Sequence, residues 1–403
     1  MTHKNKFGMF IHWGFYALTE LQEQALTRYD LDREQYEALR FRFDPVKYDP
    51  EQWVLTAKEA GMQYICFTAK HHDGFCMWDT KYTDYSIMHT PYGKDVLRML
   101  ADACHKHGML LSLYYSCPDW HHPHAYNPAS SHQWRSAAKE NTDFGIYKKY
   151  LIDQVTELLT NYGPIYTLFW DIPPRIDDPG VNEYMRSLQP GILINNRGFD
   201  PGDFSTPERE LEADGSLERY PHMTEACNSI DAQSWGYRRE ADLFSLRYLC
   251  SAIDKTMARG GSYLLNIGPM ADGSFDPVQA GRIRAVGNWY TRMQGCLEEH
   301  EPDPFDYAPH HSGPCIACRK NGKTYLHFFD GIRSTAVSLG AYPSLPVSVR
   351  LMNTGKMLPF RVEVLPDHFN GKTGRAETEY LHIRGIPVDD LAGEPIVLEI
   401  EWQ

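Results

Sequence analysis

Over the first three quarters of the chain, apolar positions alternate between two patterns. Short apolar runs read as strands at Phe7–His12, Tyr64–Thr68, Leu110–Tyr115, Ile165–Trp170, Ile192–Asn195 and Tyr263–Ile267. Between them lie stretches with helical spacing. Glu51–Ala60 reads as a helix ended by Gly61. In Val96–His107 the residues Val96, Leu97, Leu100, Ala103, Cys104 and His107 share one face, and Gly108 supplies the cap. Ile146–Asn161 stops at Gly163-Pro164, Leu243–Arg259 is helical, and Pro277–Met293 carries proline near its first position. Strand-helix-strand repetition predicts a parallel sheet with right-handed crossovers. Periodicity leaves open sheet and closed barrel as alternatives. No GxGxxG or GxxxxGK[ST] follows a strand, so a nucleotide-binding sheet loses its usual support. Long loops follow strands at Ser116–Asp143 and Ile172–Gly180, the place where barrels keep their active sites.

The pattern changes near Glu298–Ser312, a stretch with Pro302, Pro304, Pro309 and several acids. Short β-type runs separated by turn residues follow: Thr324–Phe329, Ala336–Leu339, Val347–Met352, Phe360–Leu365, Glu379–Arg384 and Ile396–Trp402. They predict a small β-sandwich of about 90 residues. The expected organisation is a (β/α)8-type barrel over residues 1–300 and a C-terminal sandwich over 313–403.

The length of 403 residues suits this division, because such barrels take about 250 residues. A net charge of −13 argues against nucleic acid and anionic membranes as partners. The nine cysteines are odd in number and form no disulfide framework. Cys66, Cys76, Cys104 and Cys250 read as reduced, buried thiols, and the Cys315/Cys318 pair lacks the second pair of a zinc ribbon. Neither a secretory signal, nor an apolar run of about eighteen residues, nor an Asn-x-Ser/Thr sequon is visible, so the expectation is a cytoplasmic protein.

Polar and aromatic clusters recur directly after the expected strands: His12-Trp13-Gly14, Lys70-His71-His72-Asp73-Gly74-Phe75, Tyr114-Tyr115-Ser116 with Asp119-Trp120-His121-His122, Trp170-Asp171, and Asn195-Asn196-Arg197. If the sheet closes, they converge on one site. No serine or cysteine sits in a GxSxG elbow, so the useful groups are carboxylates and histidines. Asp171 could be a nucleophile or a salt-bridge partner. Glu208, Glu210 and Glu212 form an acidic run that reads equally as a solvated face.

The chain resembles glycoside hydrolase family 29, the α-L-fucosidases. The segments that carry the resemblance are KFGMFIHWG (6–14), FTAKHHDGFCMWDTKYTDYS (67–86), LSLYYSCPDWHHP (111–123), LFWD (168–171), NNR (195–197), GDFSTPE (202–208), SIDAQSWGY (229–237) and LLNIGPMADG (264–273). The resemblance implies a catalytic barrel with a C-terminal β-sandwich. It implies Asp171 as nucleophile, and His12, His71, His72, Tyr114, Arg197 and Trp235 as sugar-binding residues, with Trp78 a weaker carry-over. For the acid/base, GDFSTPE favours Glu208, and Glu225 before CNSIDAQSWGY is the alternative. The family often has glycine after the nucleophile; here the chain reads Ile172-Pro173-Pro174, which alters the following loop.

The chemistry agrees with these roles. Retaining cleavage needs one carboxylate to attack the anomeric carbon and a second carboxyl to protonate the leaving oxygen. Histidines and tyrosine offer neutral partners to sugar hydroxyls, and aromatics an apolar face to the fucose C5 methyl. The implied substrate is a fucosylated oligosaccharide, with no metal and no organic cofactor. Two rivals remain. One is a metal-dependent barrel hydrolase using His12, His71, His72, Asp73 and Asp171, although no HxH or HExxH is present. The other is a catalytically weak fucose-binding relative.

Overall fold

A computed structural model of the chain describes residues 6–133, 135–209, 216–310, 312–364 and 379–403. Met1–Asn5, Glu210, Glu212 and Leu365, used in the sequence reading, lie outside the described residues. Seven parallel strands form the first sheet: β1 (Phe7–Ile11), β2 (Tyr64–Lys70), β3 (Leu110–Ser116), β4 (Thr167–Asp171), β5 (Leu193–Ile194), β6 (Glu225–Ser229) and β7 (Ser262–Ile267). Their spatial order is β5-β4-β3-β2-β1-β7-β6. The gap between β5 and β6 is bridged by residues 204–208. Phe204 pairs with Asn195, and Ser205 and Glu208 pair with Thr224 and Cys227, all in parallel. Cys227 donates its N–H to Pro207 O at 3.0 Å and Glu225 to Ser205 O at 2.8 Å. This short segment closes the ring as an eighth position.

Two short helices, α1 (Ala25–Arg28) and α2 (Arg33–Ala38), lie in the loop after β1; the longer ones follow in chain order: α3 (Pro50–Glu59), α4 (Val96–His107), α5 (Phe144–Asn161), α6 (Pro179–Leu188), α7 (Leu246–Ala258) and α8 (Pro277–Leu297). Their ends follow capping chemistry. Asp95 accepts from Arg98 N at the start of α4, and Gly108 at φ 64 closes it. Ser245 caps α7, and Asp276 caps α8 ahead of Pro277. α6 falls where the sequence reading placed the end of a loop, and β6 was not foreseen as a strand. No helix among the described residues is long and apolar enough to cross a membrane.

Beyond α8 the strands are antiparallel: β8 (Glu301–Pro302), β9 (Pro309–His310), β10 (Ile316–Lys320), β11 (Lys323–Phe328), β12 (Ala336–Leu339), β13 (Pro346–Leu351), β14 (Phe360–Val364), β15 (Glu379–Arg384) and β16 (Ile396–Trp402). They form two sheets, β13-β16-β11-β10-β8 and β14-β15-β12-β9. Inward residues such as Leu326, Phe328, Val337, Leu339, Ile383 and Leu398 make a separate core between them. Against the barrel, His327 of β11 meets Asp254 of α7 at 2.8 Å, both fully buried. Burial opposes the charge on His327, but Asp254 outweighs it and lifts the imidazole to about 10.

Candidate active site

The C-terminal strand ends meet at a cavity of about 90 Å³ lined by Phe10, His12, Gln24, His71, His72, Tyr114, His132, Phe169, Asp171, Ile172, Glu208 and Trp235. Asp171 is the last residue of β4 and is buried. The side chain of Asn195 secures that strand end, accepting from Trp170 N and donating to Trp170 O, both at 2.9 Å. Tyr114 donates its hydroxyl to Asp171 Oδ2 at 2.7 Å, and Arg197 donates from Nη1 to Asp171 Oδ1 at 2.8 Å. The same Nη1 also pairs with Glu208 Oε1. Two oxygens that share one nitrogen in this way lie within about 6 Å of each other. That matches the close carboxyls of retaining glycosidases, about 5–5.5 Å, and not the wider spacing of inverting ones.

The two carboxyls titrate in opposite directions. Burial opposes the charge on Asp171, but Arg197, His72 and the Tyr114 hydroxyl outweigh it and hold the carboxyl below its ordinary range. For Glu208 burial prevails over Arg197, and the negative charge of Asp171 adds to it, so this carboxyl is pushed up. One group is kept ionised and its neighbour is biased towards the acid form.

Burial keeps the histidines neutral. It holds His12 down to about 4 and His72 down to about 3, and lowers His71 as well. The hydrogen bonds fix two tautomers. Asn266 uses its Nδ2 on Trp235 O at 2.7 Å, so its Oδ1 accepts from His12 Nδ1 at 2.7 Å. Ser116 donates to Pro118 O at 2.7 Å, so its oxygen accepts from His72 Nδ1, also at 2.7 Å. In both rings Nε2 is left as an acceptor; in His72 it lies 3.8 Å from Asp171 Oδ2. Strand alternation would have sent His71 and His72 to opposite sides. β2 shifts register between Thr68 and Lys70 and ends at Lys70, so both histidines follow it in a turn, with ring centroids 4.2 Å apart. Trp235 lies 5.2 Å from His12 between ring centroids and, with Phe10 and Phe169, gives the cavity an apolar side.

Two sequence-derived assignments fall elsewhere. Trp78 is fully buried away from the cavity, donating from Nε1 to Glu157 Oε2 on α5 at 3.2 Å. Glu225 opens β6 at the opposite, N-terminal end of the barrel, where it accepts from Tyr64 at 2.5 Å. It is not among the residues that line the cavity at Asp171 and Glu208. Burial pushes it up to about 7. The rival metal set also separates, because Asp73 turns to Tyr36 and to Phe75 N. Among the described residues no group of three or more His, Cys, Asp or Glu is arranged to hold a metal ion. Asp119 forms a buried ion pair with Lys70 at 2.9 Å, which braces the β2 turn from outside the cavity.

The sequence reading missed Gln24, Glu23 and Asn266. Glu23 Oε2 accepts from Trp235 N and Gly236 N, both at 2.9 Å, and so ties the first loop to the Trp235 loop. Asn266 lay inside the LLNIGPMADG segment and was open to notice; the Glu23-Gln24 pair carries no periodic or motif signal. Ile172 sits at φ 57, a left-handed conformation that costs a β-branched residue about 1–3 kcal/mol. The backbone thus keeps the turn that glycine would adopt freely.

The family model for α-L-fucosidase matches residues 2–294. The chain belongs to the α-L-fucosidase family. It is 26% identical to the α-L-fucosidase of Branchiostoma floridae, over 86% of this chain and 82% of that protein. It is 28% identical to human plasma α-L-fucosidase, over 70% of this chain and 66% of that one. Among solved structures, α-L-fucosidase isoenzyme 1 from Paenibacillus thiaminolyticus superposes with a TM-score of 0.83 at 29% identity, over 99% of this chain and 97% of that one. A Thermotoga maritima α-fucosidase in complex with a mechanism based inhibitor gives 0.76 at 26% identity, over 98% and 95%.

Proposed function

We propose that this α-L-fucosidase family member is a retaining exo-enzyme, with Asp171 as nucleophile and Glu208 as general acid/base. One observation carries the reading: Arg197 Nη1 is shared by the two carboxyls, whose titrations are driven apart. In the first step Asp171 attacks the anomeric carbon while Glu208 gives its proton to the leaving oxygen. In the second, Glu208 takes a proton from water, which attacks the same carbon and frees Asp171. His12, His71, His72 and Trp235 hold the fucose, and the substrate is a terminal α-L-fucosyl oligosaccharide or glycoconjugate.

The proposed catalytic unit is residues 1–300, with the sandwich over 313–403. A cytoplasmic location belongs to the same proposal and is supported by nine cysteines, all free. The test is to follow hydrolysis of an aryl α-L-fucoside by proton NMR. α-L-fucose appearing before mutarotation supports the double displacement; β-L-fucose appearing first refutes it.

A further inference from the structure

One polar atom at the cavity has no place in the scheme above. Gln24 lines the cavity, its Oε1 is buried, and none of the described residues donates to it. Leaving a buried amide oxygen without a donor is costly, so one left unpaired is expected to have a ligand partner. Its surroundings are fixed. Gln24 is the N-cap residue of α1, and its backbone carbonyl accepts from Thr27 N at 3.0 Å and Arg28 N at 2.9 Å. Its neighbour Glu23 is tied to the Trp235 loop. The backbone that carries the amide is therefore fixed, and Gln24 lines the same cavity as Trp235.

The other groups say which ligand atom suits it. His12 and His72 each present a bare Nε2 acceptor, and Asp171 is an acceptor already engaged by Tyr114 and Arg197. A cavity rich in acceptors suits a ligand rich in hydroxyl donors. An amide differs from these groups in carrying both an acceptor and a donor, so it can give and take a hydrogen bond with neighbouring hydroxyls on one ring.

We propose that Gln24 is a specificity-determining residue that reads one ring hydroxyl of the bound fucose through its side-chain amide. This rests on the fucosidase reading and adds a contact that no sequence motif carries. The loss of that hydroxyl should matter as much as the loss of the amide, because either change leaves the other partner buried and unpaired.

The experiment compares wild type with Gln24→Met, an apolar replacement of similar length, on aryl α-L-fucoside and on its 2-, 3- and 4-deoxy analogues. Gln24→Met should lower kcat/KM on the parent fucoside by about tenfold or more. On one deoxy analogue, the one lacking the hydroxyl that Gln24 reads, wild type and variant should agree within about twofold. Equal loss on all four substrates, as misfolding would give, overturns the proposal, and so does a parent rate within twofold of wild type. If wild type fails to hydrolyse the parent fucoside, the fucosidase reading itself falls; if it hydrolyses the fucoside and the variant does so within about twofold of it, only the role of Gln24 falls.

Discussion

Arg197 approaches Asp171 at 2.8 Å from the side opposite Tyr114, so each carboxylate oxygen of Asp171 has a donor of its own. Such a carboxylate is oriented and kept ionised before substrate arrives. Asp171→Ala should lower kcat on an aryl fucoside by about four orders of magnitude while fucose still binds. Steady-state rates and calorimetric titration with fucose check this; a rate near wild type would refute the nucleophile assignment.

Glu208 is expected to act twice, as acid and then as base. With an activated aryl fucoside, which needs little help in leaving, Glu208→Ala should accumulate the glycosyl-enzyme, and azide should restore the rate. Glu225→Ala should show no azide rescue. Burst kinetics with and without azide separate the two, and rescue in the Glu225 variant alone would reverse the assignment.

Glu225 yields a stability prediction instead. Its carboxyl stays protonated in the folded chain up to about 7, whereas an unfolded glutamate ionises near about 4.3. Folding therefore loses stability as pH rises between those values, by up to about 4 kcal/mol, and the loss is constant above. Glu225→Gln should retain activity and should gain in melting temperature over wild type at pH 8 more than at pH 5. A gain independent of pH would contradict the buried-acid account.

The ion pair between α7 and β11 also loses stability as pH rises, but in a higher window. His327 is held up to about 10 in the folded chain, against about 6.5 unfolded. Its contribution is whole below about pH 6.5 and is lost as pH climbs towards 10. Between those pH values wild type should lose more stability than the double variant Asp254→Asn/His327→Gln, as measured by calorimetry. Parallel curves would mean that His327 is not held protonated in the folded chain.

The sequence disclosed elements in proportion to their amphipathic length. Val96–His107 was legible to its ends because one apolar face, an aspartate cap and a terminal glycine all agree. Glu225–Ser229 was not, since a five-residue strand buried on both faces shows no alternation, and its glutamate suggested chemistry rather than packing. Trp78 went astray because motif position says nothing of side-chain direction. Gln24 reaches the cavity from a loop, where only the folded chain brings it beside Trp235. Asp171, His12, His71, His72, Tyr114 and Arg197 were expected together because strand ends in a barrel converge by geometry, whereas Glu208 and Trp235 came from the family resemblance alone.

Residues 204–208 complete the ring between β5 and β6, and the last of them is Glu208. The proposed proton donor is thereby built into the seam that shuts the barrel. Adding or removing one residue between Asn195 and Glu208 would misalign the seam and turn the carboxyl out of the cavity together. Drift in length is thus penalised twice in this stretch, once by folding and once by turnover.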